Sequence, residues 1–158
     1  MKYTRLTKEQ LEELHQEFIN FLATQSITAE EWLKIKKDKP EVAEEEIDIF
    51  SDLVWEGVLN QAKYLEQVSP QHIHMFSLTE KNMHLIALKL RSDVADLTTK
   101  EGYSWLRDNL LSDQVEVLQA HKNYSEDKNQ DKFTLIKSGA VITKGDLYNY
   151  FNKLINED

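Results

Sequence analysis

The stretch Gln71–Leu90 reads QHIHMFSLTEKNMHLIALKL, and its reading decides the fold class. Two mainly apolar runs, Gln71 to Leu78 and Met83 to Leu90, flank the polar tetrad Thr79, Glu80, Lys81 and Asn82, a pattern that predicts a β-hairpin. A helix starting near Ser77 is the competing reading, because Met83, Ile86, Ala87 and Leu90 also recur at helical spacing.

Upstream of this stretch the signals are helical. Thr7 and Gln10 form a capping pair, Leu6 and Leu11 flank it, and Leu14, Phe18, Phe21 and Leu22 continue one apolar face to about Ala23. Thr28 and Glu31, bracketed by Ile27 and Trp32, start a second, short helix that ends before Pro40. Proline suits the first position of a helix, so a third is expected from about Pro40 to Gln67. Downstream, Thr98 with Glu101 opens a helix through Trp105 and Leu110, and Val115 to Ala120 reads as a third strand. Asn123 to Asp131 reads as a loop and Phe133 to Ser138 as a short helix stopped by Gly139. Thr143 with Asp146 then opens a last helix through Phe151 and Ile155. The expected fold is α+β in a single domain over 1–158: an N-terminal layer of three helices, a small mainly antiparallel sheet around Gln71 to Ala120, and a C-terminal helical pair. Trp32, Phe50, Val54, Leu85, Trp105, Phe133 and Phe151 are the expected core.

Composition narrows the chemistry. With 41% hydrophobic and 30% charged residues over 158 positions, the chain can bury a core without metal or disulfide staples. It has no cysteine, which removes disulfides, thiolate metal sites and thiol nucleophiles. The absence of a long apolar run or a signal-like start predicts a cytoplasmic protein without a membrane partner. A net charge of −9 disfavours phosphate backbones, and the four glycines are too scattered for a nucleotide-cradling loop. No activated serine motif is present, so no catalytic residue and no cofactor are assigned.

One feature is lopsided. Between Glu41 and Asn60 lie seven acidic residues and no basic one, and Glu44, Asp48, Asp52 and Glu56 repeat every fourth position, as a stripe on one helical face. Such runs are commonly solvated faces. The functional reading is a docking surface for a basic protein partner, or for Lys34, Lys36, Lys37 and Lys39 of this chain or of a second copy in a homo-oligomer. A divalent-ion site on the stripe is a weaker reading, because stacked carboxylates do not converge.

The histidines offer a second candidate. His72 and His74 share one face of the first expected strand, a spacing suited to two metal ligands in a metal-binding protein or hydrolase. With Leu78 opposite Met83, His84 pairs with Ser77 and points to the other face; a one-residue slip would reverse that. Strand histidines are also commonly held by hydrogen bonds. Glu12 and His15 match the Glu-x-x-His step of di-iron bundles, but no other helix repeats it.

Two resemblances complete the reading. Thr143, Lys144, Gly145, Asp146, Leu147, Tyr148, Asn149, Tyr150 and Phe151 resemble the recognition-helix stretch of tetracycline-repressor-type regulators, which implies DNA binding through the C-terminal helix. The spacing from Gly139 is longer than that family's turn, and Asp146 places a carboxylate where phosphate contacts belong; an amphipathic packing helix gives the same string. Across the whole chain, the succession Ile47 to Trp55, His84 to Leu90, Leu97 to Trp105 and Ile142 to Phe151 resembles a family of small uncharacterised proteins of the Bacteroidota, a domain of unknown function. That resemblance implies a cytoplasmic bacterial protein and no mechanism. The function is therefore unknown from the sequence. The favoured reading is a non-enzymatic interaction module that meets a basic partner through the acidic stripe.

Overall fold

The computed structural model describes residues 1–156. Among the described residues, seven helices and one five-stranded antiparallel sheet make the protein α+β. The chain divides into two compact units, Met1–Asn60 and a second that starts at Gln61.

The first unit is helical: α1 (Lys8–Glu13), α2 (His15–Thr24), α3 (Ala29–Asp38) and α4, which runs from Pro40 to the boundary at Gln61. Thr7 and Thr28 both form full capping boxes, with Gln10 and Glu31. The first expected helix is broken at Leu14, whose backbone (φ −99°, ψ 23°) leaves the helical region. Between α2 and α3 the chain reverses at Ser26, which takes the left-handed conformation (φ 61°) while the amide of Ile27 donates to the carbonyl of Leu22. Phe18 anchors the interior, with its ring edge-on to both Trp32 (centroids 5.1 Å apart) and Phe50 (5.0 Å).

The second unit is built on the sheet, in strand order β4-β3-β2-β1-β5. Its strands are β1 (Tyr64–Ser69), β2 (His72–Leu78), β3 (Asn82–Leu90), β4 (Val115–Asn123) and β5 (Val141–Thr143), with helices α5 (Lys100–Asn109), α6 (Lys128–Lys137) and α7 (Asp146–Asn156). The Gln71–Leu90 stretch is a hairpin, in the register that sets Leu78 opposite Met83 and His84 opposite Ser77. Alternation sends Ile73, Met75, Ile86 and Leu88 to one face, where they pack with Leu106 and Phe151; Leu78 and Met83 face the other way, with Leu65 and Ala140. Of the expected core, Phe50, Phe133 and Phe151 are buried, whereas Trp32, Val54, Leu85 and Trp105 are half-buried.

Four boundaries differ from expectation. The helix from Pro40 stops at Gln61, and Tyr64–Ser69 is a strand because it zips along β2 as a hairpin, from Ser69–His72 at the turn out to Tyr64–Ser77. The cap of α5 is Thr99, which accepts from the amide of Gly102; Thr98 instead donates to Asp96. The expected loop Asn123–Asp131 is shortened, because Asp127 caps α6 through Gln130. Thr143 belongs to β5, opposite Tyr64, and its hydroxyl accepts from Gly145 in a turn instead of capping α7.

Candidate functional site

The acidic stripe lies along α4, and the segment just before α1 lies on it. Asp52 accepts the backbone amides of Lys2 (2.7 Å) and Tyr3 (2.9 Å), one on each carboxylate oxygen. The Tyr3 hydroxyl donates to Glu56 at 2.6 Å, and the Lys2 ammonium lies 3.7 Å from the same carboxylate. The Arg5 guanidinium forks between Asp48 (Nε to Oδ1, 2.7 Å) and Glu44. One residue further, the Leu6 amide donates to the Oγ of Ser51, itself fully buried, at 3.1 Å. All four stripe carboxylates thus hold a five-residue strap, Lys2–Leu6.

The strap is fixed by both faces of its chemistry. Tyr3 and Leu6 are buried while Lys2, Thr4 and Arg5 stay exposed, so two apolar anchors set the register and the cations close over the carboxylates. Burial, and next the hydrogen bond to Glu56, push the Tyr3 phenol up to about 12. The hydrogen bonds that Arg5 donates to Asp48 and then Glu44 hold it still more firmly in its charged form. Among the described residues, Lys34, Lys36, Lys37 and Lys39 make no ion pair with the stripe. The strap itself carries the signal that spacing alone overlooked: two cations three apart, Lys2 and Arg5, ahead of the Thr7 cap.

The histidines form two separate pairs. His72 and His74 sit two apart on β2 with ring centroids 6.0 Å apart, and the His72 Nδ1 is 3.4 Å from the Ser69 hydroxyl. Burial, and then the neighbouring His72, lower the pKa of His74. His84 lies across the sheet from His121, centroids 5.8 Å apart, and takes the opposite face from His72 and His74. Among the described residues no three His, Asp or Glu side chains converge as a metal cage would require. A cavity of about 280 Å³ beside His84 and His121 is otherwise lined by Phe76, Met83, Leu85, Ala120, Leu135 and Lys122, with no carboxylate or hydroxyl to form a catalytic relay.

The Thr143–Phe151 stretch comprises the end of β5, a turn at Gly145 (φ 89°) and the first turns of α7. Leu147, Tyr148 and Phe151 pack α7 into the sheet's core cluster, which places its apolar face against β2 and β3. None of the described helices is long and apolar enough to cross a membrane.

Fold and site together define an α+β protein whose acidic helix face is occupied by its own leading segment. The chain belongs to the Family of unknown function (DUF6495), whose model matches residues 1–156. No curated protein and no solved structure matches it.

Proposed function

We propose that this protein is a non-enzymatic interaction module of the bacterial cytoplasm, of the Bacteroidota type its sequence resembles, and that its α4 stripe receives an extended basic segment of a partner protein. The observation that carries this reading is the strap. The same four carboxylates singled out by their spacing bind backbone amides, an aromatic hydroxyl, an ammonium and a guanidinium of one extended peptide. The ligand chemistry is therefore that of Lys2-Tyr3-Thr4-Arg5-Leu6: two cations three apart, with an aromatic and an aliphatic anchor. A partner segment of this kind competes with the strap. Tethering gives the strap an effective concentration of order millimolar, so the intact chain resists weak ligands and admits those that outbid it.

The test is a titration of fluorescent Lys-Tyr-Thr-Arg-Leu peptide with the intact chain and with one lacking residues 1–6. Intact protein carrying Lys2→Glu and Arg5→Glu provides a second unmasked form if the shortened chain does not fold. The unmasked forms should bind saturably at low salt, at least about tenfold tighter than the intact chain, and Asp48→Lys with Asp52→Lys should abolish binding. Equal, non-saturating signals from every form would overturn the proposal.

A further inference from the structure

The sheet ends at β4, and its outer edge invites a specific occupant. β4 is nine residues long, and every residue after Val115 is exposed, including Val117 at 37% and Leu118 at 54%. Among the described residues β4 pairs with β3 alone, whereas the opposite edge strand β5 has three residues. Proteins usually blunt such a long edge by shortening it, bulging it or covering it.

The phase of the ladder says which backbone groups are available. Arg91 and Gln114 are in register just beyond the strand ends, and the Arg91 amide donates to the Gln114 carbonyl at 2.9 Å. In an antiparallel pair, hydrogen-bonded partners alternate with non-bonded ones. Glu116, Leu118, Ala120 and Lys122 therefore turn their amides and carbonyls toward β3. Val115, Val117, Gln119, His121 and Asn123 turn theirs outward.

A second copy of the same strand fits this edge. Antiparallel pairing about a two-fold axis at Gln119 matches Val117 with His121, and Val115 with Asn123, so every outward-facing residue meets an outward-facing residue. On the face carrying the even-numbered side chains, Leu118 meets Ala120, and Glu116 meets Lys122 at both ends. Hydrogen-bond phase, apolar pairing and charge are thus complementary under one symmetry operation. We propose that β4 is a homodimer interface: two copies pair β4 to β4, centred on Gln119, and join their sheets into one of ten strands. This surface is independent of the acidic stripe.

Sedimentation velocity across a concentration series tests it, with hydrogen exchange as the positional readout. The proposal expects a concentration-dependent dimer in which the amides of Val117, Gln119 and His121 become protected as it forms, while those of Leu118 and Ala120 are protected in the monomer already. Lys122→Glu should weaken dimerisation on the order of tenfold by setting carboxylates opposite each other at both ends, and adding Glu116→Lys should restore it. Gln119→Pro removes an outward-facing amide and should leave the protein folded and monomeric. A chain that stays monomeric at high concentration would overturn the proposal, as would a dimer indifferent to Lys122→Glu and Gln119→Pro.

Discussion

Asp52 and Ser51, adjacent on α4, hold the strap by its backbone: the carboxylate takes the amides of Lys2 and Tyr3, and the hydroxyl takes that of Leu6. A backbone amide deprived of its acceptor in a dry site costs about 1–3 kcal/mol. Ser51→Ala should cost that much in urea unfolding, since Ser51 is fully buried. Asp52→Ala should cost somewhat less, because water reaches the Lys2 amide, and Asp52→Asn less again. Reversing the charge at Asp48 or Asp52 should likewise lower the melting temperature, whereas an unoccupied stripe would gain stability from losing a like charge. Tyr3 adds a pH dependence with a definite sign. Its phenol ionises near 12 when folded against the ordinary 10.0, so its contribution is complete below pH 10 and is lost as the pH rises through about 12. The difference between phenolate absorbance titrations of the wild type and Tyr3→Phe should be a single step near 12. A step near 10 would mean that Tyr3 is free.

At the scale of elements, what was legible followed from local rules. The capping boxes at Thr7 and Thr28, the stop at Gly139 and the start at Pro40 are interactions within four residues, and spacing alone predicts them. The hairpin was legible from its two apolar runs, but its register stayed open to a one-residue slip; the structure sets Leu78 opposite Met83, the pairing that buries both. β1 and β5 were not legible: β1 continues the helical spacing of α4 and becomes a strand only by folding back on β2 across Pro70 and Gln71, and β5 gains its identity from Tyr64, far back along the chain. The site was half legible. Four carboxylates at a spacing of four announce a stripe, but nothing local brings Arg5 across 39 residues to Glu44. α5 depends on a close approach to the turn that leads into it. A Cβ on Gly102 would lie 1.7 Å from the Asp96 carbonyl oxygen, which is backbone and cannot step aside. Gly102→Ala should therefore destabilise the protein by at least about 2 kcal/mol, although alanine is the better helix former, and a thermal melt decides the sign.

For the molecule as a whole, the net charge of −9 is unevenly placed, and the seven carboxylates of α4 are its densest part. Lys2 and Arg5 return two positive charges to that face, so salt should loosen the strap before it affects the apolar cores on either side of the sheet. The role proposed for α4 requires the strap to be bound in solution. Hydrogen exchange at the amides of Tyr3 and Leu6 in the intact chain is the most direct measurement. Protection well above the rate of an unstructured peptide is expected at both, lost at Tyr3 on Asp52→Ala and at Leu6 on Ser51→Ala, and reduced at both by high salt. Exchange at the unstructured rate in the wild type at low salt would contradict the account, leaving the acidic face of α4 a solvated surface.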